Sequence, residues 1–356
     1  APPQLFQNDS YPVEALMRSL YQTLIDTVTS EHVFSSDFFN DDNITGEIFG
    51  PTCSDLDQFL DKLLAKITDP ICIVLLLRFA IAQKNEMDRR RVFKLNNHLL
   101  GVQKKLTTRF CAIVAINQAA IEQCDPRIFL ENETTAHHAN AMTRRFSEFA
   151  TSLSQLMTDD IAEMMTTQLH MISAAVIDLI ERTAREFKTP ELSAVYQINN
   201  YYLILSTLQT VSDCPLIPLF HEKLSDCSSY FIELEIKMYF PKLVETVRKA
   251  FIKLETREEP LQTGLGESEL KEIASEFKTK HIEKMKQIAE SQMLKFGDFN
   301  NGRTILCNLA KRLVLYWAKF DQLCRFIMKG QSPAWFSNLI SSQQLVVNIM
   351  PITRGD

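Results

Sequence analysis

Residues 140 to 187 contain neither proline nor glycine. Within that run Met142, Phe146, Phe149, Leu153 and Leu156 recur at steps of three or four, and Ile161, Met164, Ile172, Val176, Leu179 and Phe187 extend the series. Such spacing lays the apolar side chains along one stripe of an α-helix. At about 1.5 Å per residue an unbroken helix would reach roughly 70 Å, far beyond an ordinary globular helix. Thr158-Asp159-Asp160 is the one place where a break and restart is expected, because these side chains compete as caps. A chain built on such a rod is expected to lay its other helices alongside it.

The residue supply points the same way. With 9 Gly and 13 Pro in 356 residues the chain has too few turn formers for a sandwich or barrel, and at 46% hydrophobic it is too apolar for disorder. The expected fold class is all-α, an elongated rod of two helical bundles in line. Asp213-Cys-Pro-Leu-Ile-Pro218 leaves a helical pattern little room to continue, so the domains are read as 1–212 and 213–356. In the first, Tyr11-Pro12 opens a helix. Residues 31 to 61 hold eight acidic side chains and no Lys or Arg, and Gly46, Gly50 and Pro51 mark the middle of that stretch as a loop. A helix capped by Ser54 or Asp55 follows, with a hitch at Asp69-Pro70. Asp88 is expected to cap a long helix reaching Ala120, inside a stretch of nine basic residues from Arg78 to Arg109. In the second, a helical stretch bends at Pro241 and an evenly charged helix spans Glu267 to Phe296. Gly297 to Gly302 is a turn with Gly302 at positive φ, an apolar helix covers Thr304 to Met328, and a short helix precedes frayed final residues.

Several function classes find no support. A net charge of −6 argues against a dedicated nucleic-acid binder. The longest apolar run, Ile71 to Ala82, includes Arg78 and is too short for a membrane pass. Ala1-Pro2-Pro3 carries no basic flank or hydrophobic follow-on, so no secretory signal is read there, and three sequons at Asn8, Asn43 and Asn132 are taken as chance matches. Eight cysteines stand singly without a C-x-x-C pair and read as reduced core residues. His221-Glu222 opens like a zinc-protease helix, but Ser225 stands where the second histidine is needed. His137 and His138, with Glu133 one turn earlier, point in different directions on a helix and read as a loop feature. Gly264-Leu-Gly266 lacks the strand and the Lys-Ser/Thr of a phosphate cradle, and Ser268 lacks the second glycine of a nucleophile elbow. No catalytic residue, cofactor or metal is expected.

Polar residues set among apolar ones remain. Arg144-Arg145 heads the long run, Asn199-Asn200 interrupts an apolar stretch, and Asn300-Asn301-Gly302-Arg303 precedes the apolar helix. Each is read either as ordinary solvation, backbone satisfaction or turn chemistry, or as a fixed polar contact that fastens helices or forms a binding surface. The segments Met142-Thr-Arg-Arg-Phe-Ser-Glu-Phe149, Ile198-Asn-Asn-Tyr-Tyr202 and Phe299-Asn-Asn-Gly-Arg-Thr304, with Tyr11-Pro-Val-Glu-Ala-Leu-Met-Arg-Ser-Leu20, resemble signature segments of the vacuolar protein sorting-associated protein 52 family. Order and spacing match across almost the whole chain, at the C-terminal part of such a protein. Tyr202 and Asn300 depart from the family pattern, where an acidic residue and an arginine are usual.

The resemblance implies a rod of stacked helical bundles. It implies a subunit of the Golgi-associated retrograde protein complex and its endosomal recycling sister, non-enzymatic, tethering endosome-derived carriers. The implied partners are the other subunits, a Rab-type small GTPase, SNARE proteins and an anionic membrane surface, with no nucleic acid. The implied location is cytosolic, peripheral to trans-Golgi and endosomal membranes. The residues themselves offer Arg89, Arg90, Arg91 and Lys94, the densest basic cluster, and Arg144 with Arg145 as partner contacts, since arginine fastens carboxylates through paired hydrogen bonds. The competing classes are a lipid-binding scaffold and a GTPase regulator supplying Arg90 or Arg145 to a nucleotide, although neither arginine has water-positioning polar company in sequence. The acidic stretch 31–61 is expected to pair in part with the basic stretch 78–109.

Overall fold

The computed structural model describes residues 12–40, 44–130, 132–256, 259–261, 264–329 and 333–354. Every regular element among them is helical, so the fold is all-α. In order they are α1 (Val13–Phe39), α2 (Ile44–Leu64), α3 (Pro70–Arg89), α4 (Asn96–Glu122), α5 (Ala141–Gln155), α6 (Ala162–Arg185), α7 (Pro190–Leu208), α8 (Ile217–Tyr239), α9 (Pro241–Ala250), α10 (Glu267–Lys295), α11 (Phe299–Ile327) and α12 (Ser342–Arg354). Prolines sit in the first turn of α3, α7, α8 and α9, where the missing N–H costs nothing. Side-chain caps at Asp69, Thr189 and Asp298 accept from Ile71, Leu192 and Asn301 at 2.9, 3.2 and 2.9 Å.

The structure corrects four local expectations. The 140–187 run is two helices, and its break includes the expected Thr158-Asp159-Asp160, where the backbone tightens as the Ile161 N–H turns back to the Thr158 carbonyl. Around Gly46, Gly50 and Pro51 the chain is helical rather than looped: α1 continues to Phe39, and α2 runs from Ile44 through all three. Each glycine costs the helix about 1 kcal/mol relative to alanine, which burial of Leu60 and Leu64 helps offset. Asp88 does not cap the basic helix but ends the helix before it. Arg91 adopts φ 61°, and a short 3₁₀ turn at Phe93–Leu95 leads into α4. Gly302 is helical rather than turned, because Asp298 starts α11 one turn earlier than expected. At the C-terminal end, α12 continues as helix to Arg354.

The chain packs as two units, one of residues up to Cys124 with Phe149–Val176, the other of Asp125–Glu148 with everything from Ile177 onward. The expected boundary at 213–218 falls inside the second unit, as the turn between α7 and α8. The rings of Tyr201 and Phe220 meet across it at 6.3 Å. In the first unit, Met17 and Tyr21 of α1 close with Leu76 and Ala80 of α3 and Val102 and Leu106 of α4 around a void of only about 10 Å³. Tyr21 also hydrogen-bonds His98 at 3.1 Å. Apolar stripes account for this core.

The second unit is built around α7, which is buried on nearly every side. Away from α7 its centre is aromatic: Phe277 stacks on Trp317 at 4.1 Å, and Phe240, His281 and Phe320 extend the cluster. The polar tips of Trp317 and His281 in this cluster are satisfied. Trp317 Nε1 donates to the Ile340 carbonyl at 2.8 Å, and His281 lies between the Phe277 carbonyl and Asn348 at 3.0 and 3.1 Å. All eight cysteines are free thiols. Burial pushes Cys72 and Cys324 up to about 12, far from a reactive thiolate.

Candidate functional site

The two asparagines of α7 are both buried. Asn200 Oδ1 accepts from the Asn140 backbone N–H at 3.0 Å and from Thr143 Oγ1 at 2.7 Å, while its Nδ2 donates to the Tyr196 carbonyl at 2.8 Å. Asn140 Nδ2 donates to the Tyr196 hydroxyl at 2.6 Å, and Asn140 Oδ1 receives the Thr143 N–H at 2.7 Å. Asn199 Nδ2 reaches the other way, to the carbonyls of Ala136 at 3.1 Å and Lys295 at 3.0 Å. These bonds pin the start of α5 and the end of α10 to one helix. Gly297 passes close against the His137 carbonyl, and Gly302 packs on Phe296. Burial and the neighbouring Asp298 push Tyr202 up to about 12. Ala136, Asn140, Thr143, Tyr196, Asn199, Asn200 and Lys295, far apart in sequence, therefore meet in one polar junction within the second unit.

Beside the junction opens a groove of about 850 Å³, lined from α7, α8 and α11 by Tyr202, Ser225, Ser228, Asn301, Thr304 and Arg312 among others. Glu233 gathers Arg248, Arg312 and the Tyr316 hydroxyl there, and Arg312 also holds Glu255. Burial pushes the Glu233 carboxyl up, but the bonds from Tyr316, Arg248 and Arg312 outweigh it and hold the carboxyl below its usual range. Two residues on, Glu235 is fully buried and moves the opposite way: burial raises it, and Lys295 at 2.8 Å offsets only part of that. Lys295 is held a second time by Glu191 at 2.6 Å. Chemically this arrangement balances charge and fixes helices in place. Apart from Arg312 and Tyr316, one helical turn apart, its members are scattered in sequence, so no local pattern announces it.

The candidate arginines lie in different circumstances. Arg89 clamps Glu86 with two bonds of 2.8 Å, and Arg90 binds the same carboxylate at 2.7 Å while reaching Asp26 at 3.0 Å and Thr29 at 3.1 Å on α1. These arginines hold Glu86 at about 2. Arg91 and Lys94 are exposed in the turn that follows. Part of the basic stretch does pair with the acidic one: Lys105 bridges Asp61 at 2.9 Å and Asp57 at 3.6 Å. In the second unit, Arg144 and Arg145 are exposed on the first turn of α5 and join no ion pair among the described residues. Thr143 and Phe146, on either side of them, are buried, so the two guanidinium groups project from an anchored turn. No group of three metal-ligating side chains converges among the described residues, and none of their helices is long and apolar enough to cross a membrane.

Comparison with known proteins gives this geometry a family. Residues 3–229 match the family model described as Vps52, C-terminal. Vacuolar protein sorting-associated protein 52 A of Arabidopsis thaliana is 28% identical over 349 residues, covering 97% of this chain and 48% of its own length. The Homo sapiens homolog of that protein is 25% identical over 346 residues, covering 95% and 47%, and the Caenorhabditis elegans homolog 19% over 352 residues, covering 96% and 50%. The chain spans about half the length of the curated relatives it matches. With the model covering most of the chain, it belongs to the Vps52 family.

Proposed function

We propose that this chain is a non-enzymatic leg of a multisubunit vesicle tethering complex, acting in retrograde transport from endosomes to the trans-Golgi network. Family membership supplies the sorting role, and the helical architecture suits it, since packed helices keep side chains in fixed places over long distances. Its partners in this reading are the other subunits, a Rab-type small GTPase, SNARE proteins and the anionic membrane surface of the organelle it serves.

One observation carries the docking role: Arg144 and Arg145 project, unpaired among the described residues, from a helix turn anchored by Thr143 to Asn200. A pre-positioned guanidinium loses little freedom when it clamps a partner carboxylate. Arg89 and Arg90 fit less well, because binding must first compete with Glu86 and Asp26. The same engagement disfavours Arg90 as an arginine donated to a nucleotide. The test is a titration of this chain with a panel of Rab proteins loaded with a GTP analogue or with GDP. Binding of one member in the GTP form alone is expected. Equal affinity for both forms, or no binding by any member, overturns the effector role.

A further inference from the structure

The end of α1 carries a surface that neither packing nor the reading above uses. Phe34, Phe38 and Phe39 are 53%, 71% and 54% exposed. They touch one another rather than the core. The rings of Phe34 and Phe38 stack at 5.4 Å, Phe38 and Phe39 meet edge-on at 4.9 Å, and Phe34 meets Phe39 at 5.9 Å. Val33 beside them is equally exposed, and α2 carries exposed Ile48 one turn after its start. Scattered apolar side chains on a surface are ordinary, but a contiguous aromatic cluster is the signature of an interaction site.

The charge around the cluster selects its occupant. From residue 31 to residue 61 there is no Lys or Arg, while acidic side chains number eight. Asp57 and Asp61 are taken by Lys105, but Asp37, between two of the phenylalanines, is exposed and in no ion pair among the described residues. Glu47, at the start of the next helix, is in the same condition. An anionic bilayer would be repelled by such a rim, since it attracts segments of the opposite sign. A second copy of this surface would bring like charges together. A helix with an apolar stripe flanked by Lys and Arg satisfies both features, its stripe on the rings and its cations on the rim.

We propose that the Phe34–Phe38–Phe39 surface is a docking site for a basic amphipathic helix of a partner protein. The three rings act as the anchor, and Asp37 and Glu47 set the sign of the partner. The site lies in the first unit and does not depend on Arg144 or Arg145, so it stands or falls apart from the GTPase reading.

The test uses the 356-residue chain and three probes: a fluorescent twenty-residue Leu/Lys amphipathic peptide, its Leu/Glu counterpart, and phosphatidylserine-containing vesicles. Anisotropy should report saturable binding of the Leu/Lys peptide and none of the Leu/Glu peptide. The variant Phe34→Ser/Phe38→Ser/Phe39→Ser should weaken binding at least roughly tenfold, as loss of buried aromatic anchors does. Because these side chains are exposed, circular dichroism should show it folded. Asp37→Asn/Glu47→Gln should weaken binding less and flatten its salt dependence. The proposal is overturned if the serine variant binds the Leu/Lys peptide as tightly as the parent chain or if the Leu/Glu peptide binds equally. Vesicle binding lost in that variant overturns it in favour of a membrane site, and dimerisation lost in that variant in favour of self-association.

Discussion

The two units spend their cations differently. In the first, Arg89, Arg90 and Lys105 close partly exposed ion pairs between neighbouring turns and helices, over a core of apolar stripes. In the second, Lys295 reaches the fully buried Glu235, Arg248 and Arg312 converge on Glu233, and Asn199 and Asn200 satisfy backbone groups inside the core. Arg144 and Arg145 are left over. Charge density along a sequence is therefore a poor guide to charge available to a partner. Glu86, one turn before Arg89 and Arg90, is enough to engage both.

The comparison breaks most visibly at Lys295. Lys295→Met leaves Glu235 buried without its cation, which should destabilise the protein by about 3–5 kcal/mol in urea unfolding at neutral pH. The pH dependence has a definite sign. Glu235 has a raised folded-state value, so its contribution is favourable below its unfolded value and is lost as pH rises through the folded one. The variant should recover stability relative to the parent as pH falls toward 4.5, the ordinary glutamate value. Glu233, lowered overall, contributes the reverse: its stabilisation is present above the ordinary value and disappears as pH falls through the folded one. Replacing Glu233 with Gln should therefore flatten the acid side of the parent's stability profile.

A smaller effect is expected at Asn200. Asn200→Ala removes the acceptor for Thr143 and the Asn140 N–H and should cost about 2 kcal/mol, with chemical denaturation as the readout. The smallest belongs to the first unit. Lys105→Met opens a partly exposed pair and should change stability by about 0.5 kcal/mol, less at high salt. A Lys105 effect as large as that of Lys295 would remove the distinction between the units.

These magnitudes bear on what was legible in the chain. The helices around Tyr21, Leu77 and Phe110 follow from apolar spacing, and Pro190 marks a helix start by its missing donor, whereas Pro70 and Pro241, which read as a hitch and a bend, each begin a separate helix. Gly46, Gly50 and Pro51 read as a loop because these residues punctuate most helices, whereas packing of Leu60 and Leu64 helps hold α2 helical through them. The polar junction was half legible: Asn199-Asn200 stood out within an apolar stretch, but their partners at Asn140, Ala136 and Lys295 are set by tertiary packing and have no local period. The Glu233 cluster gave no signal for the same reason. Arg144 and Arg145 could be picked from sequence, and only the structure distinguishes them from Arg89 and Arg90.

The most direct measurement compares the two arginine clusters against whichever GTP-form Rab binds the parent chain. Arg144→Glu/Arg145→Glu should weaken that binding at least roughly tenfold while leaving the circular dichroism unchanged, as loss of well-placed arginines at an interface does. Arg89→Glu/Arg91→Glu should leave it within about threefold, the scale of a peripheral surface charge. The opposite ranking, with the first cluster dominant, would contradict the account that an arginine's own intramolecular partners decide whether it is offered to another protein.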